Sequence, residues 1–145
     1  MLTMQKEFFI IEPEKNCMLS EIYTVFNDVI YDPSEDAINT ILSEYAVNAS
    51  RTLYGYFIDK KLIGIIGIED REVFEILHFG IHPSYRGKGH GTALMDFIRN
   101  TYSGKKLFLT TADDAVVFYQ KYGFAITEFY EERNGEKIQR FSCEL

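Results

Sequence analysis

The sequence predicts an α/β domain on a mixed central sheet with helices on both faces, and three observations carry that prediction. Residues 53–58, residues 62–68 and the stretch from Val73 onward are apolar runs separated only by Asp59-Lys60-Lys61 and Glu69-Asp70-Arg71-Glu72. Turns this short join antiparallel neighbours, so the runs read as a meander. A glycine-rich loop, an amphipathic segment and another apolar run at 106–110 come next. Strand, helix and strand in that order make one right-handed crossover, which places the flanking strands parallel. Near the end, Asn134-Gly135 lies between two further runs and signals a hairpin.

The elements follow in order. Phe8-Phe9-Ile10-Ile11 is a short strand closed by Pro13. Residues 18–29 have helical spacing, with Leu19, Ile22, Tyr23, Phe26 and Val29 or Ile30 on one face, and Ser20 or Asn16 is the expected cap. Asp32-Pro33 interrupts the pattern. A second helix is expected over 34–48, opened by Ser34 with Glu35 and Asp36 in its first turn. Gly64 and Gly67 lie inside the second meander strand, where glycine marks a bulge or a close backbone approach. The central strand stops by His82, because Pro83 cannot donate to a ladder. The helix after the loop is read as 92–102, stopped by Ser103-Gly104. Asp113 or Thr111 caps the next helix, which runs to Tyr122 and ends at Gly123. Residues 124–131 and 138–143 are the hairpin strands.

Composition narrows the function classes. The chain has 145 residues and reads as one domain over 1–145. A net charge of −7 argues against a nucleic-acid partner, which requires a basic surface. The two cysteines, Cys17 and Cys143, form no CxxC and read as thiols of a cytoplasmic protein. The three histidines, His78, His82 and His90, lack the spacing of a zinc site, so no metal is expected. No apolar run approaches membrane length, and no membrane partner is expected.

The stretch that concentrates chemistry is Arg86-Gly87-Lys88-Gly89-His90-Gly91-Thr92. Glycines let successive N–H groups converge on one concave nest, and the following helix adds its unpaired N–H groups and positive dipole end. Arg86 and Lys88 contribute full charges. Together they describe a site for a phosphate-rich ligand. The Walker and dinucleotide-binding spacings do not fit. Arg86, Gly89 and Gly91 do fill the pattern Arg/Gln-x-x-Gly-x-Gly/Ala. A second segment, Ala115 through Tyr119 to Gly123-Phe124, fills Ala-x-x-x-Tyr-x-x-x-Gly-Phe. The two motifs, in this order and joined by a strand, resemble the GNAT superfamily of acetyl-CoA-dependent N-acetyltransferases. Many members carry Asn seven residues before the tyrosine, whereas this chain has Ala112, so Thr111, Asp113 or backbone would substitute.

The resemblance implies a GNAT-like fold and acetyl-CoA as co-substrate. It implies transfer of the acetyl group to a primary amine of a small molecule or peptide by direct attack, without a covalent enzyme intermediate. The expected cofactor-binding residues are Phe79, Gly80 and Ile81 on the strand, Arg86, Gly87, Lys88, Gly89, His90, Gly91 and Thr92 in the loop, and Tyr119. Tyr119 occupies the family's position for the acid that protonates the leaving thiolate. Glu75 interrupts an apolar strand at a position where some members place a catalytic glutamate. His78 and a chain of waters stay open as other proton acceptors. A bulge or splay near Phe79-Gly80-Ile81 would free ladder groups for the thioester. Tyr23, Phe26, Asp28, Tyr31 and Asp32 are candidates to line the acceptor pocket, and a homodimer is admitted. A non-catalytic CoA-binding module and a nucleotide-phosphate enzyme stand as the rival readings.

Overall fold

A computed structural model describes residues 4–145. Seven strands and four helices run β1 (Lys6–Ile10), α1 (Leu19–Phe26), α2 (Glu35–Val47), β2 (Arg51–Ile58), β3 (Lys61–Asp70), β4 (Phe74–Ile81), α3 (His90–Thr101), β5 (Leu107–Thr111), α4 (Asp113–Tyr122), β6 (Ala125–Arg133) and β7 (Glu136–Glu144). One short 3-10 turn, Pro83–Tyr85, lies between β4 and α3. The mixed α/β architecture expected from the sequence is therefore present. The strands form one sheet in the order β1-β2-β3-β4-β5-β7-β6. Among the described strands, only β4 and β5 pair in parallel. The hairpin folds back so that β7, not β6, pairs with β5.

The core is laid on both faces of the sheet. On one face, α3 and α4 cover Ile63, Ile66, Ile68, Phe74, Ile76 and Ile81. On the other, α1 and α2 cover Leu53, Phe57, Leu62 and Ile65. The isoleucines of β3 are almost wholly buried. Each contributes on the order of 1.5–3 kcal/mol by leaving water. Sheet and helices are held by this double-sided burial. Among the described residues, no helix is long and apolar enough to cross a membrane.

Several local details differ from the sequence reading. The first helix ends at Phe26, and its apolar period continues into a turn in which Val29 N donates to Phe26 O (2.9 Å). Neither Ser20 nor Asn16 caps it. Met18 holds the cap position and its N–H donates to Glu21 Oε1 (3.3 Å), while Asn16 ties the preceding loop to Ile10 O (2.8 Å). Ser34 does cap α2, accepting from Ala37 N (3.1 Å). The helix after the loop starts two residues early, at His90. Ala112, with no capping side chain, precedes α4 in place of Thr111 or Asp113. The two-residue turn Asn134-Gly135 has positive φ at both positions (52° and 78°), the geometry of a tight hairpin.

Two irregularities in β4 position the site. Gly67 pairs with His78 but Ile68 pairs with Ile76, so Leu77 is an extra residue and the strand bulges there. The bulge reverses side-chain parity. Phe74 and Ile76 face α3 before it, and Phe79 and Ile81 do so after it, which turns His78 and Gly80 toward α1 and α2. The second irregularity is a fork. β4 and β5 pair only at Phe74–Leu107 and Glu75–Phe108, and then they part.

Candidate functional site

The fork opens into a cleft. A cavity of about 420 Å³ lies in it, bordered by Glu75, His78 and Phe79 of β4, Thr110 and Thr111 of β5, Tyr119 of α4 and Arg140 of β7. A larger cavity of about 860 Å³ adjoins it, bordered by Phe79, Gly80 and Ile81, by Arg86, Gly87, Gly89, His90, Gly91 and Thr92, and by Phe118. Asp28, Tyr31, Asp114 and Ala115 border both, so the two spaces lie side by side.

The loop at the head of α3 is curled as its glycines allow. Gly87 and Gly89 have φ of +74° and +83°, and a Cβ at either would meet no atom within 4 Å. Glycine is required there by backbone conformation, not by crowding. Gly91 is closely packed, since a Cβ there would lie 3.2 Å from the Phe118 ring. Tyr85 N is taken by His82 O and Ala93 N by Gly89 O, but no group among the described residues accepts from the N–H groups of residues 87–92. Five of these six residues, Gly87, Gly89, His90, Gly91 and Thr92, border the larger cavity at a helix N-terminus. That donor set fits a diphosphate, with the dipole adding to it.

The side chains of the loop are disposed unevenly. Lys88 is exposed, with its ammonium 5.9 Å from the Tyr85 ring centre. His90 turns inward, with Nδ1 3.2 Å from the Tyr56 hydroxyl, and burial holds it below the ordinary imidazole range. Only its backbone faces the cavity as a donor. Arg86 Nε donates to Ile81 O (3.0 Å), and Nη2 donates to Asp28 Oδ2 (2.9 Å). This ion pair ties the loop to the segment after α1. Both partners are about half exposed, so the pair is weak and exchangeable.

In the smaller cavity, Tyr119 is 6% exposed and sits among Phe79, Phe118 and Phe124. Burial, with Cys143 nearby, raises its pKa, so the phenol keeps its proton at neutral pH. Its hydroxyl has no hydrogen-bond partner among the described residues and is available to a ligand. Glu75 is 29% exposed at the side chain and lies 3.7 Å from Arg71 Nη2. His78 Nδ1 lies 2.6 Å from the Tyr45 hydroxyl. Burial first, then Arg51, pushes this imidazole down to about 4, against a small opposing effect of Glu44.

The structure thus brings Glu75, His78, Tyr119, residues 79–81, Arg86, Gly87 and residues 89–92 to one cleft, and it leaves Lys88 outside the lining of both cavities. It separates some of the expected pocket residues. Phe26 is fully buried in the core, Tyr23 donates to Asn39 Oδ1 (2.8 Å), and Asp32 borders neither cavity; Asp28 and Tyr31 do. Among the substitutes for the missing asparagine, Thr111 borders the cavity and Asp113 does not. Thr110, Asp114 and Arg140 are site residues that the sequence reading misses. Arg140 arrives only because β7 inserts beside β5, which no local pattern announces. Tyr45 has one signal, the interior Gly67, whose added Cβ would lie 1.8 Å from the Tyr45 hydroxyl.

The free amides and the forked sheet can be set beside known proteins. Solved structures of similar shape include the ribosomal-protein-S18-alanine N-acetyltransferase from Escherichia coli, at 16% identity, TM-score 0.71, and coverage of 97% of this chain and 93% of that one. The F149G mutant of SpeG spermidine N-acetyltransferase from Vibrio cholerae aligns at 19% identity and TM-score 0.73, with the same coverage. A GNAT family acetyltransferase from Elizabethkingia anophelis, solved with acetyl-CoA bound, aligns at 20% identity and TM-score 0.66, covering 98% and 97%. At these identities the likeness establishes the fold. The sequence itself carries the family, because residues 21–145 match the acetyltransferase (GNAT) domain. With its curled amide loop, its forked sheet and that match over most of its length, this chain belongs to the GNAT family of acetyltransferases.

Proposed function

We propose that this N-acetyltransferase moves the acetyl group of acetyl-CoA onto a primary amine of a small molecule or peptide by direct attack. The observation that carries the co-substrate is the run of unclaimed N–H groups at 87–92, five of whose residues border a cavity of about 860 Å³. Arg86 exchanges Asp28 for phosphate, and Lys88 adds charge at the rim. The pantetheine arm then follows residues 79–81 into the fork, where the β5 side of β4 is unpaired beyond Glu75.

The chemistry in the smaller cavity needs three groups. A neutral amine attacks the thioester carbon, forming the N–C bond as the C–S bond breaks. A backbone N–H of the splayed strand polarises the carbonyl. Glu75, directly or through water, takes the proton lost by nitrogen, and Tyr119 gives one to the departing sulfur and regains it from solvent. Tyr119 is suited to this role because it stays protonated and has no competing acceptor. Both cysteines are buried and their pKa values are raised by burial, Cys17 to about 11, which supports transfer without an acyl-thiol on the protein. The scheme requires no metal, and a cytoplasmic setting belongs to the same proposal. The acceptors named for the similar proteins, spermidine and the alanine of ribosomal protein S18, support an amine here.

The test is release of CoA thiol from acetyl-CoA across a panel of small amines and peptides. Amine-dependent release with an acetylated product is expected. Tight CoA binding with no release across the panel would overturn the proposal.

A further inference from the structure

The group least explained by this scheme is His78. It borders the smaller cavity, yet its environment differs from that of a free base. The bulge at Leu77 turns it toward α2, where the Tyr45 hydroxyl meets its Nδ1 at 2.6 Å. The rings of Phe26 and Tyr45 meet it edge-on, at centre distances of 5.5 and 5.6 Å. Gly67 makes room for that hydroxyl, since any side chain there would collide with it.

The protons can be counted. Burial raises the Tyr45 pKa, so the phenol keeps its proton. Its oxygen has no other hydrogen-bond partner among the described residues. If Nδ1 carried the imidazole proton, the phenol's own proton would be left without an acceptor in a half-buried site. That arrangement is costly. Donation from Tyr45 to Nδ1 satisfies both groups. A neutral imidazole has one N–H, so the remaining proton is on Nε2. Nε2 has no partner among the described residues either. No buried side-chain nitrogen or oxygen among them goes unpaired, so Nε2 is not sealed from solvent.

We propose that Tyr45 is a positioning residue that locks His78 in the Nε2–H tautomer, making His78 a hydrogen-bond donor to the acceptor substrate and removing it as the base. The donor role rests on the smaller cavity being the amine site; the tautomer does not. Proton acceptance is left to Glu75 or water. The donor favours acceptor amines that carry an oxygen within reach of the cavity wall.

Long-range proton–nitrogen NMR of the uniformly 15N-labelled protein reads the tautomer directly, with His78 assigned by its loss in His78→Gln. The wild type should show the neutral Nε2–H pattern from pH 8 down to pH 5. In Tyr45→Phe the lock is gone, and the pattern should become a mixture of tautomers. Gly67→Ala, which displaces the hydroxyl by contact, should reproduce that change. An Nδ1–H pattern or an imidazolium in the wild type at pH 7 overturns the proposal, as does an unchanged tautomer in Tyr45→Phe. If that variant does not fold, the wild-type spectrum decides alone. No outcome depends on turnover, so failure here is separate from failure of the acetyl-transfer reading.

Discussion

Replacing Gly89 by glutamate probes the loop most sharply. The residue has φ +83°, and nothing stands within 4 Å of the place a Cβ would take, so the substitution strains the backbone without a clash. A left-handed conformation costs an ordinary residue roughly 1–2 kcal/mol. The new carboxylate would also face a bound diphosphate. At about 5 Å in water, each pair of unit charges repels by ~0.8 kcal/mol, and a lower effective dielectric raises this. Two phosphate charges give ~1.6 kcal/mol, so CoA affinity should fall at least about tenfold. Gly104→Glu is the control. Gly104 has φ +85° with the same open surroundings, but it lies at the far end of α3. A helix of twelve residues is about 18 Å long, beyond the ~8 Å screening length at physiological salt. Both variants should lose similar stability, whereas only Gly89→Glu should lose CoA affinity, and more so at low salt. Calorimetric titration at two ionic strengths measures this. Equal affinity for the two variants would refute the diphosphate reading of the loop.

Other expectations follow from the same cleft and core. Tyr119→Phe should lower turnover by about a hundredfold or more while changing CoA affinity less than about twofold, within the range for a lost general acid; an unaffected rate in steady-state kinetics would assign the phenol to packing. The double substitution Cys17→Ala, Cys143→Ala should retain acetyl transfer within about twofold. Abolished transfer in that variant, with an acetyl-thiol trapped on the parent protein, would contradict direct attack. Glu69 is buried between Arg51 (2.6 Å) and Arg71 (2.6 Å), and its hydrogen bond with Arg51 holds its carboxyl below the ordinary value near 4.5. With the folded pKa depressed, its contribution is complete above the unfolded value and is lost as pH falls through the folded one. Glu69→Gln should therefore flatten the acid limb of a plot of Tm against pH. An unchanged limb would mean that the pairing contributes nothing.

The features legible in the sequence are those written in neighbouring residues. The glycine spacing of 87–91, the Pro83 stop and the Asn134-Gly135 turn each set local dihedrals, and local dihedrals need no tertiary context. The crossover follows from chain handedness. What stays hidden depends on partners far apart in the chain. The Arg86–Asp28 pair spans 58 positions, and the Tyr45–His78 pair spans 33. Periodicity overruns the end of α1 because Val29 and Ile30 keep the helical spacing while serving another surface, the cleft wall. The bulge at Leu77 lies a few residues before the expected place near Phe79-Gly80-Ile81. An apolar run reads the same whichever residue is the extra one, so composition does not assign the parity of Glu75, His78 and Phe79.

The position of β7 bears on how the molecule is made. A ribosome delivers β6 before β7, yet β7 is the strand that touches β5, through Phe108–Glu144 to Thr111–Phe141. Until residues 136–144 have emerged, β5 presents an uncovered rim and Arg140 cannot reach the fork. The cleft is therefore completed only after the whole hairpin has been made. A nascent chain arrested in the hairpin would hold the amide loop but lack one wall of the smaller cavity.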